Sequence, residues 1–428
     1  MRKLLLLLTI LAVGGCRHTY VDDAFYKSYE APFDTRPEAM ISKAFETDVI
    51  VKEGFRNNQD GGTPLMWSVS NQVKPEVIKI LLNNGARVNA RTKHGATPLM
   101  FAVSHSSNPE IFDLLLNYNA SLDAQTELGL TPLMFAIVNN GDIEVMDYLI
   151  KKGANIHQPN AMGATPLMVA SQFTRNLEKM DLLLQAGARV NDKDISGNSA
   201  LSRAVATTAD IGVIRLLLQN GADPNERTNA GLTPIMMASL YNQNGELLDF
   251  LLDAGANIND RTNTGATPLM LAVVKKSSAS FIEKMLDRGA NVHAKDENGY
   301  TAMMYAAAHN TNPEIIKILL EYGAQVNDQD NVGKETPLMW AAGKNTNPEI
   351  VNVLLNAGSI VMLENNRFTN AVEYAYDNPL IYNSNAYRNL EKRLAVEEKQ
   401  EAERKAREKE AKKLEKEGKG KTIYNPYI

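Results

Sequence analysis

One short phrase, Thr-Pro-Leu-Met, returns along this chain at a spacing of 34 residues. It opens at Thr63-Pro64-Leu65-Met66 and recurs at Thr97-Pro98-Leu99-Met100, Thr131-Pro132-Leu133-Met134 and Thr165-Pro166-Leu167-Met168. It continues at Thr233-Pro234-Ile235-Met236, Thr267-Pro268-Leu269-Met270, Thr301-Ala302-Met303-Met304 and, after a step of 35, Thr336-Pro337-Leu338-Met339. The slot at 199 reads Ser199-Ala200-Leu201-Ser202. A second marker keeps the same phase: Gly85-Ala86, Gly153-Ala154, Gly187-Ala188, Gly221-Ala222, Gly255-Ala256, Gly289-Ala290 and Gly323-Ala324. Two markers held in phase over most of a chain leave it one architecture, a small unit copied and stacked on itself.

Each unit reads as two helices. Thr caps the first, and proline at the first helical position gives up an N–H that has no partner there. After a polar loop, Asn108-Pro109-Glu110, Asn312-Pro313-Glu314 and Asn347-Pro348-Glu349 open a second helix. Their Glu favours the positive end of the helix dipole. Apolar residues follow at helical spacing, as in Ile315, Ile316, Ile318, Leu319 and Leu320. The glycine of Gly-Ala supplies the left-handed residue that stops the helix, and Asn119 stands in for it once. A polar stretch ending in a glycine, such as Gly95 or Gly129, leads to the next Thr. Met66 through Met339 are expected in the core rather than along a metal-binding stripe.

With both markers in place, the unit resembles the ankyrin repeat, in nine copies over residues 61–365. The resemblance implies an all-α solenoid of antiparallel helix pairs carrying short β-turn fingers. The family's unit is usually one residue shorter, and the added residue here falls in the loop between helices. The family's usual His after Thr-Pro-Leu is Met in eight of the nine units. That exchanges a hydrogen-bonding ladder for apolar packing.

A stack needs polar-faced ends. Residues 37–60, with Met40, Ile41, Ala44, Phe45, Val49 and Ile50, are expected to form an N-terminal capping helix. Residues 366–394 read as a degenerate tenth unit, and 391–428 as a long, charged helical tail. Residues 391–421 hold 12 basic and 9 acidic side chains, net +3, in a chain whose total is −5, so the rest stands at −8. Pairs such as Glu401/Lys405 and Glu408/Lys412 sit at i,i+4 and support a solvated helix. The apolar residues between them are mostly Ala and keep no heptad, which gives a coiled coil less support.

Met1-Arg2-Lys3, an apolar run from Leu4 to Val13, and Gly14-Gly15 before Cys16 have the layout of a secretory signal peptide over residues 1–15. The run is too short to span a bilayer. Val13-Gly14-Gly15-Cys16 resembles the lipobox of bacterial lipoproteins. That resemblance implies cleavage before Cys16, acylation of its sulfur and new amino group, and a tether over residues 16–36.

Cys16 is the only cysteine, which excludes an intramolecular disulfide and a cysteine-based zinc site. A slightly acidic chain offers no overall basic field for nucleic acid. No Walker loop, dinucleotide glycine motif, His-Glu-x-x-His or Gly-x-Ser-x-Gly occurs. No catalytic residue, metal ligand or cofactor is therefore assigned, and carboxylates at repeat spacing are expected on solvated fingers. What changes from unit to unit is surface. The candidate contacts are Arg91, Lys93, His94, Arg227, Arg261 and Lys295 on the fingers. His105, Phe173, Tyr241, Lys275, His309 and Lys344, eight residues after each Thr slot, join them. Arg203 falls where other units are apolar, which predicts a weak point with Arg203 either paired to an acid or exposed. The expectation is a monomeric, lipid-anchored protein of the bacterial envelope that binds another protein. The alternative is a structural spacer whose charged tail carries the contacts.

Overall fold

The computed structural model describes residues 62–416, apart from 140, 141, 208, 209 and 276. The leader, Cys16, the tether, the N-terminal cap and the chain beyond 416 lie outside the described residues. Among the described residues there are 21 α-helices, one π-helical segment and no strand, only the isolated bridge between Lys295 and Thr301. The fold is an all-α repeat solenoid. The chain divides into two compact units, with the pair Ala200–Thr207 and Ile211–Gln219 shared between them.

The first unit contains the pairs Pro64–Ser70 with Pro75–Asn83, Pro98–His105 with Pro109–Asn117, Pro132–Asn139 with Ile143–Lys151, and Pro166–Phe173 with Leu177–Gln185. The second contains Pro268–Val274 with Ala279–Asp287, Ala302–His309 with Pro313–Glu321, and Pro337–Lys344 with Pro348–Asn356. It also holds Pro234–Met237, which runs into the π-helical Ala238–Asn242 before Gly245–Asp253. The short helices Ala371–Tyr376 and Pro379–Tyr382 precede a single helix, Asn385–Lys416.

The caps act as the sequence implies. Thr63, Thr165, Thr301 and Thr336 each accept the N–H of the methionine three residues on, at 3.3–3.4 Å. The methionines are buried. They also do something the sequence did not suggest: Met100, Met270 and Met339 accept the N–H of their own capping Thr on sulfur at 3.4 Å. A thioether thus closes the capping box that a Glu or Gln side chain usually closes. Asn108, Asn312 and Asn347 cap the second helices by accepting the N–H of Glu110, Glu314 and Glu349 at 3.0–3.1 Å. Asn119 takes a left-handed φ of 64° where the other units have glycine.

In the second unit, asparagines in the loops between helices link successive repeats. Asn310 donates to Val273 O at 3.1 Å. Asn345 donates to Ala307 O and Asn310 O at 2.7 and 2.9 Å, and Asn378 to Ala342 O and Asn345 O at 3.0 and 2.9 Å. All three are buried, so these bonds satisfy carbonyls that the helix ends would otherwise leave without partners.

Candidate interaction surface

Several fingers are held by the same staple. A side-chain oxygen at one fixed slot accepts the backbone N–H four residues on: Thr92 from Ala96, Thr126 from Leu130, Asn160 from Ala164, Asp194 from Asn198, Thr262 from Ala266 and Asp296 from Tyr300, at 2.8–3.1 Å. The glycine inside the staple has a second reason to be there. A Cβ on Gly129, at φ +72°, would lie 2.4 Å from the backbone N of Ala161 in the next finger. That close approach lets Ala161 N–H reach Leu128 O at 2.9 Å, as Glu127 N–H reaches His94 O at 3.0 Å. In the second unit Asn331 N–H reaches Asn298 O at 2.8 Å.

An asparagine clamp adds to this. Asn225 donates to Gly255 O at 2.9 Å and accepts the N–H of Asn257 at 3.0 Å. Asn259 and Asn327 repeat the pattern, and Asn89 does so in the first unit. Sequence reasoning passed over these residues, although Asn89, Asn191, Asn225, Asn259 and Asn327 keep the repeat's phase. At the last finger Ile360 stands where Asn257 stands earlier, so no side chain there can accept the N–H of Met362. Glu397 of the C-terminal helix accepts it instead, at 2.9 Å, together with that of Val361 at 3.2 Å.

The structure gives several of the expected contact residues a first task inside the fold. Arg91 donates to Gln125 O and Arg261 to Lys295 O, both at 2.7 Å, each reaching the same slot one finger on. Lys295 pairs with Asp328 at 3.3 Å. These cations splint neighbouring fingers and present their remaining surface outward. Lys93, His94 and Arg227 are exposed on the fingers, with His94 3.8 Å from the Glu127 carboxylate.

The second group recurs at one position of the repeat, at or just past the end of the first helix. His105 and Phe173 end their helices in the first unit. Tyr241 lies in the π-helical segment of the second unit, Lys275 caps Pro268–Val274, and His309 and Lys344 end their helices. All six are partly exposed. Lys344 lies over the Trp340 ring at 4.1 Å, and Trp340 in turn packs edge-on against Tyr300 at 4.7 Å. Among the described residues no group of three or more His, Asp or Glu side chains converges on one point.

One expectation changes. Asp194, Glu226, Asp296 and Asp330 are buried rather than solvated. They occupy or adjoin the staple slot, where a carboxylate oxygen binds backbone N–H groups. At Asp194 and Asp296 the second oxygen takes a side chain nine residues on, whereas at Asp330 it accepts the N–H of Glu335 at 3.0 Å. Asp194 receives Arg203 at 2.6 Å, and Asp296 receives the Tyr305 hydroxyl at 2.7 Å. Burial pushes the Asp296 carboxyl up, and the Tyr305 hydroxyl opposes it. Arg203 also donates to Gln172. It is buried and paired with an acid, the first of the two outcomes expected for it.

An aromatic cluster at the end of the second unit was also missed. Tyr376, Tyr382 and Tyr387 stack edge-on at 5.1 and 4.8 Å, and Leu380 is exposed close by in sequence.

A family model described as ankyrin repeats, in three-copy form, matches residues 46–126, 106–194, 201–296 and 274–365. A search of curated proteins returns no match.

Proposed function

The chain belongs to the ankyrin-repeat family, and from that premise we propose that it is a lipid-anchored binding protein of the bacterial envelope. Ankyrin repeats generally mediate protein–protein contacts, and they are usually binding scaffolds rather than enzymes. One observation carries the reading of this chain. The side chains that vary between repeats stand on a lattice of staples, clamps and finger-to-finger bonds that fixes their spacing before any partner arrives. Pre-organised side chains lose little conformational entropy on binding. Lys93, His94 and Arg227 on the fingers, with His105 and Phe173 in one unit and Tyr241, Lys275, His309 and Lys344 in the other, are the proposed contacts.

The anchor rests on Val13-Gly14-Gly15-Cys16. No described helix is long and apolar enough to cross a membrane. Each buried CH₂ of an acyl chain contributes about 0.8 kcal/mol, so two or more chains would hold the protein durably. Cys16→Ser is expected to release the protein from the membrane fraction, and globomycin to block its processing. Retention of the variant, or unchanged processing, removes the anchor from the reading.

Cross-linking in intact cells followed by mass spectrometry identifies the partner. Alanine at Tyr241, Lys275, His309 and Lys344 together is expected to abolish its capture. The exposed stretch 402–413 of the helix Asn385–Lys416 supports the second reading, a spacer whose tail makes the contact. Deleting residues 401–428 separates the two and leaves Glu397 on the last finger: capture that survives favours the lattice, and capture that is lost favours the tail.

A further inference from the structure

The C-terminal helix has two halves with different work. Its first turns are sewn to the last repeat by buried Ala386 and Leu390, by Asn389 on Asn352 at 3.0 Å, and by Glu397 on the last finger. From residue 402 to 413 every side chain but the partly covered Ala411 is exposed. A helix with no apolar face is not built to pack on protein.

Its charge is sorted by side. At 3.6 residues per turn, Lys405, Lys409, Lys412 and Lys413 fall within an arc of about 100°. Glu401 lies beside that arc and binds Arg404 at 2.8 Å and Lys405 at 3.4 Å. Glu403 binds Arg407 at 3.9 Å. Among the described residues Lys409, Lys412 and Lys413 have no ion pair. Residues 404–421 carry 9 basic and 4 acidic side chains, net +5, against −8 for residues 1–390.

We propose that this lysine face binds an anionic lipid bilayer. Three features favour a bilayer over a folded acidic partner or nucleic acid. Lysine is a compact point charge without arginine's planar fork, so it suits diffuse headgroup charge rather than a shaped site. No aromatic side chain is interleaved with the lysines to stack a base. Farther along the sequence stand Tyr424 and Tyr427, of a type enriched at membrane–water interfaces. The acidic array is repelled by the same surface, so contact is tail-first. This contact is separate from the Cys16 anchor and does not depend on it.

The test is co-sedimentation of the full-length protein with vesicles of phosphatidylcholine alone or with about one-third phosphatidylglycerol. Binding to the neutral vesicles measures whatever the leader or its acyl chains contribute. The added affinity for anionic vesicles measures the lysine face. Lys409→Gln, Lys412→Gln and Lys413→Gln together are expected to leave the neutral binding unchanged. At about 1 kcal/mol per lysine near an anionic surface, they should lower the anionic increment on the order of 100-fold. The increment should also fall with added salt in the wild type. Replacing the same three by Arg keeps the charge and should keep the binding. The proposal is overturned if wild type shows no anionic increment, if the Gln variant keeps it, if the Arg variant loses it, or if an acidic protein or duplex DNA competes the protein off the vesicles.

Discussion

The Asp194–Arg203 pair invites a quantitative test. The Arg203 guanidinium approaches Asp194 Oδ2 at 2.6 Å through Nη2 and 3.1 Å through Nε, with both side chains nearly free of solvent. Removing one member of a buried pair costs about 3–5 kcal/mol, because the other charge stays behind. Asp194→Thr should approach that figure. The finger staple survives, since Thr262 makes it at the equivalent slot, but Arg203 loses its ion partner. Arg203→Leu should fall at or below the low end. Asp194 keeps the N–H groups of Ser196 and Asn198, both at 2.8 Å, and the Asn198 amide at 3.1 Å. The double variant reproduces the combination that Thr262 and Leu271 already make in the second unit. It should lie within about 1 kcal/mol of wild type, giving a coupling of about 2 kcal/mol or more. Urea unfolding followed by circular dichroism gives the midpoints. A repeat array unfolds in parts, so amide exchange at Ser196 and Asn198 assigns the change to this finger. Two single effects that simply add would refute the reasoning.

Other perturbations separate local from tertiary causes. Gly129→Ala meets the backbone N of Ala161 and should destabilise by more than Gly153→Ala, whose Cβ has nothing within 4 Å and whose cost is left-handed strain of about 1–2 kcal/mol; the two urea midpoints decide it. Glu397→Ala should speed amide exchange at Val361 and Met362 and cost about 1 kcal/mol, since the donors are partly exposed and water can replace the carboxylate, while exchange at Asn259 stays unchanged. Lys179 is buried in a slot that holds Ile111, Val145, Val213 and Leu247 elsewhere, and burial holds its amine below the ordinary lysine value. The unfolded chain therefore binds more protons than the folded one up to the unfolded pKa of about 10.4, so folding gains stability as pH rises through that window. Lys179→Met should remove that gain, and a difference between the two proteins that does not shrink with rising pH would count against it.

Much of the fold was legible because its signals act over a few residues. Thr165 caps the helix it precedes, Asn119 turns left-handed where glycine was missing, and Asn312 opens its helix beside Glu314. The shared place of Tyr241, Lys275, His309 and Lys344 at the end of their helices was legible, since they occupy one position in the repeat. The pairs nine residues apart were less so. Asp194 goes with Arg203 and Asp296 with Tyr305, whereas Thr126 goes with Phe135 and Thr262 with Leu271. That correlation is present in the sequence, but each slot read alone shows only a charge or a ring.

The sequence by itself determined the unit, its phase, its helix starts and stops, and the acidic array joined to a basic tail. Caps, prolines and left-handed residues act through backbone geometry that needs no neighbour. The tertiary structure decided which polar groups are spent inside. Whether Arg91 meets a partner or the carbonyl of Gln125, and whether Asp194 is solvated or buried, depends on how closely one finger approaches the next. So does the use of Glu397 as the last finger's acceptor, because only stacking brings a residue 35 positions away to the N–H of Met362.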